Sequence, residues 1–375
     1  MEIIAFYLPQ FHEIPENNLW WGDGFTEWTS VKKSKRLFAG HNQPRVPLHY
    51  RYYNLLDKRV MKWQAELAMK AGITGFCFYH YWFNGKQLLE KPVDNYLMWK
   101  DIPQRYCLSW ANDSWVRAWS NVEGNGWNEV FDKTIQQKGA GVLIEQKYGK
   151  RSDWEEHFFY LLPFFQDKRY IRYNGKPVFL IHKAAKVKCL DAMLQCWNEL
   201  ANKNGLEGIY VLATNCDDRL SKYVNGRVLF EPAYTLRCDK ARFYKERDWL
   251  IKYVKNKMGV ELVKRYNYDA IWKRIIHRNQ EDIKYKTFRG GFVDFDNSSR
   301  KGRNAWVFTG VTPCKFEKYL KEILGKEKEM LFINAWNEWA EGAYLEPDKK
   351  WRYGFLQAVK RATKLVDVNQ KGRQV

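Results

Sequence analysis

Eight short stretches of this chain are apolar almost from end to end, at residues 3–11, 75–83, 106–111, 177–182, 209–214, 228–231, 291–295 and 330–335. Ile, Val, Phe and Tyr dominate them, without the polar alternation of a strand that has one wet face. Strands of that kind are buried on both faces, the condition of a parallel sheet covered by helices. Helical patterns fall between many of them. Residues 58–70 carry Val60, Trp63, Leu67 and Ala68 and stop at Gly72, and 154–165, 190–201, 314–324 and 355–366 have the same look. Strand and helix alternating in this way over 375 residues predict an α/β fold. The arrangement expected is a single (β/α)8 TIM-type barrel over 1–375, with a doubly wound sheet as the runner-up. Two connections are long, about 12–53 after the first strand and about 234–287 after the sixth. On a barrel both are elaborated βα loops, on the face where such enzymes keep their chemistry.

The C-terminal end of each barrel strand delivers side chains to one site, so the strand ends were read for polar groups. The first gives Tyr7, Gln10 and His12; the second His80, Tyr81 and Trp82; the third Trp110, Asn112 and Asp113, then Trp115 and Arg117. The fourth gives His182 and Lys183, the fifth Thr214 and Asn215, the sixth Glu231 and Tyr234, and the seventh Asp294, Asp296 and Asn297. Carboxylates, amides, imidazoles and aromatic rings together suit hydroxyl groups and sugar rings better than phosphate or acyl groups. Plainer roles stay open: satisfied core histidines at 80 and 182, an arginine ion pair at Glu231, a turn cap at Asp113.

The eighth strand end is the most specific. It reads Trp336-Asn337-Glu338-Trp339-Ala340-Glu341-Gly342, two glutamates three positions apart between tryptophans. If the backbone turns helical there, both carboxyls share a face. Carboxyl pairs about 5–5.5 Å apart serve retaining glycoside cleavage, and each disfavours the other's ionisation. A solvated helix start is the plain alternative. Asp294-Phe295-Asp296 also matches the short acidic anchor by which many glycosyltransferases hold a metal and a nucleotide sugar, but a three-residue match is weak, and no metal or other cofactor is expected. Phosphate-binding loops, a dinucleotide fingerprint, His-Glu-x-x-His, a nucleophile elbow and zinc spacing are all missing from the sequence.

Composition narrows the partners. Aromatic residues make up 17% of the chain, 18 of them Trp, more indoles than a core needs, so many are expected along a cleft or an interface. The formal charge of +20 suits an acidic partner, although dispersed surface lysine also explains it. The densest basic stretches are 32–36 and 237–278. Seven cysteines, at 77, 107, 189, 196, 216, 238 and 314, form no Cys-x-x-Cys and fit a reducing compartment. Met1-Glu2-Ile3-Ile4 has no basic leader, and no run is long enough to span a bilayer. A bacterial cytoplasmic location is expected, with peripheral contact to the inner membrane left open.

Tyr7-Leu8-Pro9-Gln10-Phe11-His12, Trp20-Trp21-Gly22, Gly24-Phe25-Thr26-Glu27-Trp28, Trp110-Ala111-Asn112, and residues 294–297 and 334–348 resemble the WbsX-like family. That family occurs in bacterial O-antigen and capsule clusters, and the resemblance runs over nearly the whole chain. It implies that Trp21, Glu27 and Trp28 join the substrate-binding set. Asn337-Glu338-Trp339-Ala340-Glu341-Gly342 is also similar to the Asn-Glu-Trp-x-Glu-Gly of glycoside hydrolase family ninety-nine, endo-α-mannosidases on a (β/α)8 barrel, with Gly175-Lys176-Pro177 a weaker echo. This resemblance implies that Glu338 removes the proton of a sugar 2-hydroxyl, whose oxygen attacks C1 to give an anhydro-sugar. Glu341 then protonates the leaving oxygen and later activates the acceptor. The chain departs at Ala340, where the mannosidases carry His, and at Asp113, where WbsX-like chains often have Glu, so no sugar identity carries over. The implied function is retaining endo-type cleavage of a bacterial oligosaccharide or polysaccharide, with anionic and lipid-linked substrates open and nucleic acid not expected. Glycosyl transfer in polysaccharide biosynthesis is the alternative, and a non-catalytic glycan- or RNA-binding protein is the third reading.

Overall fold

The computed structural model describes residues 1–116, 141–214, 221–278 and 286–371, with side chains as far as 364. Arg117, Asn215 and Cys216, singled out above, lie outside the described residues. Nine parallel strands make one sheet: β1 (Glu2–Tyr7), β2 (Gly75–Phe83), β3 (Arg105–Trp110), β4 (Lys176–Ile181), β5 (Tyr210–Thr214), β6 (Gly226–Val228), β7 (Lys286–Phe288), β8 (Gly290–Phe292) and β9 (Met330–Asn334). Each of the first six pairs with the next in sequence, β8 pairs with β9, and β9 returns to β1. The result is a nearly closed barrel of the TIM type.

The apolar runs become strands because both of their faces are covered. All nine residues of β2 are buried, with the neighbouring strands on its edges and helices outside. Around the barrel lie α1 (Pro15–Trp21), α2 (Glu27–Lys33), α3 (Lys58–Ala71), α4 (Lys91–Met98), α5 (Arg151–Gln166), α6 (Leu190–Lys203), α7 (Ala233–Cys238), α8 (Arg242–Met258), α9 (Tyr268–His277), α10 (Ser298–Lys301), α11 (Pro313–Leu324) and α12 (Gly354–Lys371).

Two boundaries differ from the sequence expectation, and each has a cause. The first run leaves the sheet at Tyr7, because Pro9 has no N–H to continue the ladder. The seventh stave is split at Arg289 into β7, which faces β6, and β8, which faces β9. At the split the chain crowds β6: a Cβ on Gly290 would sit 1.8 Å from the Leu229 carbonyl oxygen, so only glycine fits. The long sixth connection also holds a barrel helix. α9 buries Ile271, Trp272, Ile275 and Ile276, and Trp272 stacks on Phe292 of β8 with centroids 5.4 Å apart.

Inside the barrel, Phe6, Tyr79, Phe230 and Phe332 form an aromatic plug, with centroids 4.8–5.8 Å from the Phe6 ring. Above it the loops after β1, β8 and β9 interlock. Leu48 N donates to Pro347 O at 2.9 Å, Lys349 N to Val46 O at 2.8 Å, and Asp296 N to Glu341 O at 2.6 Å.

Candidate active site

Over the aromatic plug opens a cleft of about 500 Å³, within the ordinary range for a small-molecule site. Glu338 and Glu341 line it at the mouth of the eighth stave, and Glu27, from α2 in the first loop, lines it beside them. The turn that carries the pair is a two-residue strand, Asn337–Glu338, followed by one 3-10 turn, Trp339–Glu341.

Five hydrogen bonds and a ring stack hold that turn. The Asn337 side chain accepts from Leu8 N at 2.7 Å and donates to Leu8 O at 3.0 Å, replacing the ladder bonds that Pro9 ends. Ser299 Oγ donates to Ala340 O at 3.0 Å, and Ala340 N donates to Glu27 Oε1 at 3.3 Å. Trp339 Nε1 donates to buried Glu346 at 2.6 Å, and its ring stacks on Tyr344 at 3.8 Å. Gly342 closes the turn at φ 63°, where a Cβ would press on Asp296 and Arg45 at 3.0–3.1 Å.

One guanidinium joins the three carboxylates. Arg300, on α10, lies 2.6 Å from Glu27 Oε1, 3.0 Å from Glu341 Oε1 and 3.7 Å from Glu338 Oε2. Burial works against its charge, but Glu27, Glu341 and Glu338 outweigh burial and raise its pKa above the ordinary arginine value. Burial pushes Glu27 up more than Arg300 pulls it down. Glu338 is pushed well above the usual carboxylate range, by burial first and then by the charge of Glu341, with Arg300 opposing and Glu27 adding. Its Oε2 is buried without a hydrogen-bond partner, while Glu341 is more open, its side chain 27% exposed. The site thus disfavours the charged form of Glu338.

The walls are aromatic and basic. Trp21, Phe25, Tyr79, Tyr81, Trp115, Phe230, Phe295 and Trp306 line it, with Arg237, Lys301 and Asn304. Gln10 and His182 also reach the cleft. Burial lowers the His182 pKa to about 4, with Lys183 adding to the effect, so its imidazole is neutral. Asp113 stands on the wall between Lys183 and Lys186; burial raises its pKa, but the two lysines outweigh burial and hold it below the usual range.

Of the residues expected from sequence, Gln10, Trp21, Glu27, Tyr81, Asp113, His182, Glu338 and Glu341 are brought together here. The other twelve lie behind the walls. Tyr7 is buried and donates to Gln64 of α3 at 2.6 Å. His12 is buried on the Pro9 carbonyl. Trp28 donates to Tyr53 O and packs on Trp339. His80 meets His157 of α5 at 2.8 Å, Trp82 stacks flat on His157, and Trp110 donates to Trp82 O. Asn112 ties the third loop to Lys183, accepting from its N at 2.8 Å and donating to its O at 3.1 Å. Glu231 pairs with Arg278 at 2.7 Å, and Tyr234 lies under the same guanidinium. Trp336 packs on Phe76, and Asn337 clamps Leu8. Asp294 holds Arg45 at 2.9 Å, and Asp296 holds His41, Gln43 and Arg45, so this acidic pair is the counter-charge of a buried arginine. No cluster of three or more His, Cys, Asp or Glu that could hold a metal occurs among the described residues.

Arg300, which joins the three carboxylates in the cleft, is a residue that sequence reasoning did not single out. It has no local signal, because Arg300-Lys301 is one basic pair among 63 Lys and Arg.

The Glycosyltransferase WbsX family matches residues 3–359. Among curated proteins, the uncharacterized WxcX of Xanthomonas campestris pv. campestris is 30% identical over 380 residues, 98% of this chain and 50% of that protein. The chain thus spans about half the length of the curated relatives it matches. Among solved structures, the GH99 endo-alpha-mannosidase from Bacteroides thetaiotaomicron has a TM-score of 0.53 at 12% identity, covering 100% of this chain and 99% of that one. A glycoside hydrolase-like protein gives 0.54 at 14%, with 96% and 93% covered. At these identities the likeness is one of fold.

Proposed function

The chain belongs to the Glycosyltransferase WbsX family, and from that premise we propose that it is a carbohydrate-active enzyme that cleaves a glycosidic bond inside a glycan with retention. The observation that carries the reading is the gathering of Glu27, Glu338 and Glu341 around Arg300 at the floor of an aromatic cleft. Ionised Glu338 takes the proton of the substrate 2-hydroxyl. The 2-oxygen attacks C1, the bond from C1 to the leaving oxygen breaks, and Glu341 gives that oxygen its proton. The product of this step is a 1,2-anhydro-sugar. Glu341, now a carboxylate, takes a proton from water; the water oxygen attacks C1, the epoxide opens, and the 2-oxygen recovers its proton from Glu338. Two inversions give retention. A base with a raised pKa suits the first transfer, since its strength approaches that of the hydroxyl it must deprotonate. Arg300 offsets the charge that accumulates when both glutamates are ionised.

The family's description as a glycosyltransferase favours a second reading, in which a sugar hydroxyl replaces water in the second step. One experiment tests both: product analysis on α- and β-linked oligosaccharides, with and without sugar nucleotides, for wild type, Glu338→Gln and Glu341→Gln. Cleavage or transglycosylation without nucleotide, lost in both variants while glycan binding survives in Glu341→Gln, is expected. Full turnover by Glu341→Gln on a substrate with a poor leaving group would remove the assignment. Chain extension that requires a sugar nucleotide would make the enzyme a nucleotide-dependent transferase.

A further inference from the structure

Among the described helices that carry large apolar side chains, α8 is the least buried. Of its 17 residues only Tyr244 is buried, against Tyr266. Phe243, Trp249 and Met258 are 68%, 66% and 70% exposed, and Leu250 and Tyr253 are exposed with them. At 100° per residue Phe243, Trp249, Leu250 and Tyr253 fall within an arc of about 120° opposite Tyr244, with Met258 about 60° beyond its edge. Among the described residues, an apolar stripe in that position faces no other element.

Its charges state what it faces. The helix carries six basic and two acidic side chains. Both acids are already engaged: Glu246 by Arg242 at 2.7 Å, and Asp248 by Lys240 at 2.7 Å and by Arg247. Among the described residues no carboxylate lies within ion-pair reach of Lys245, Lys252 or Lys257, and all three are exposed. A second copy laid on this face would bring lysines against lysines, because a twofold contact repeats the same patch. An anionic lipid surface meets both demands: phosphate headgroups for the lysines, and the acyl boundary for Phe243, Trp249, Leu250 and Met258, with Trp and Tyr at the depth such rings prefer.

We propose that α8 docks the protein on an anionic lipid surface, lying flat with its aromatic stripe in the interface. The helix is fixed to the rim of the cleft, since Lys255 Nζ donates to Asn304 Oδ1 at 2.8 Å and Asn304 lines the cleft. Docking therefore holds the cleft mouth beside the headgroups, where a glycan carried on a lipid would be presented. That corollary rests on the glycan reading of the cleft; the docking itself does not.

The test is flotation of the whole chain with vesicles of phosphatidylcholine mixed with phosphatidylglycerol, and with phosphatidylcholine alone. Wild type is expected to float with the mixed vesicles, about tenfold or more better than with the neutral ones. Phe243→Ser with Trp249→Ser should reduce that partition about tenfold or more. Lys252→Glu with Lys257→Glu should reduce it similarly and flatten its dependence on salt. Far-UV circular dichroism of both variants should match wild type, because every altered side chain is exposed. Wild-type chain that stays in solution with either lipid overturns the proposal. So does a concentration-dependent dimer that the serine variant abolishes, which would make the face a contact between copies.

Discussion

Arg300→Met leaves a side chain of similar length without charge, and the structure sets what it costs. Glu27 is 2% exposed and loses its 2.6 Å partner, keeping only the Ala340 N–H. Removing one member of a buried pair costs about 3–5 kcal/mol. The upper limit is set by protonation, because Glu27 can escape by becoming neutral. Holding a proton at pH 7.5 on a group that ionises near 4.3 when unfolded costs about 4 kcal/mol. The loss is therefore roughly 3–4 kcal/mol at pH 7.5. The sign with pH follows from the direction of the shift. Glu27 already has a folded pKa above its unfolded value, and removing Arg300 raises it further. A group raised on folding contributes fully below its unfolded pKa and loses that contribution as pH rises through the folded one. Wild type and variant should then converge near pH 4 and separate at neutral pH. In thermal unfolding of 375 residues that is a drop of roughly 4–5 °C at pH 7.5 and about 1 °C or less at pH 4. An equal drop at both values would refute the electrostatic argument and make Arg300 a packing residue.

The pH dependence of kcat/KM separates the roles of the pair. With Glu338 as the base, the ascending limb belongs to it and lies above the ordinary glutamate range, so activity rises as pH climbs through the raised pKa; a descending limb assigned to Glu338 by its loss in Glu338→Gln would reverse the roles. Asn337→Ala removes both bonds to Leu8 and should lower kcat about a hundredfold through displacement of Glu338, with far-UV circular dichroism unchanged; wild-type kcat would show that the turn holds without the clamp. Glu346, pushed up to about 7 by burial against the opposing bonds from Trp339, Gln64 and Tyr53, should make stability fall between about pH 4.5 and 7 by on the order of 3 kcal/mol. Glu346→Gln should flatten that slope in denaturant titrations, and an unchanged slope would assign it to another group.

The barrel was legible because its signal is local: a strand buried on both faces is apolar at every position, and the helices between show their own period. The split seventh stave was not, because Gly290 is required by a carbonyl of β6 that no local pattern reveals. The glutamate pair was legible as a motif on one turn. Arg300 was not, because it acquires its place only where three loops meet, and those loops are brought together by contacts such as Asp296 with His41 and Gln43, 255 and 253 positions apart.

Reading every polar residue at a strand end as a site residue overcounts, and the strand itself supplies the correction. Side chains along a strand alternate between faces, so at each barrel mouth one parity enters the cleft and the other meets the outer helices. Leu8 lines the cleft and Tyr7 bonds α3. Tyr79 and Tyr81 line it, while His80 and Trp82 pack on His157 of α5. Ala111 and Asp113 line it, while Trp110 and Asn112 tie the wall from behind. Phe295 and Asn297 line it, while Asp294 and Asp296 turn to Arg45. Asp294 and Asp296 do share a face, as their spacing requires, but it is the face toward the first loop. A single inward residue fixes the parity of a strand: with Tyr81 beside Trp115 in the cleft, Tyr79 faces inward and His80 and Trp82 outward. The alternation carries a few residues past β1, β3 and β8 and is lost in the loop helices: Glu27 and Arg300 sit on helices, where no strand period reaches, and they are the groups that complete the charge balance of the pair.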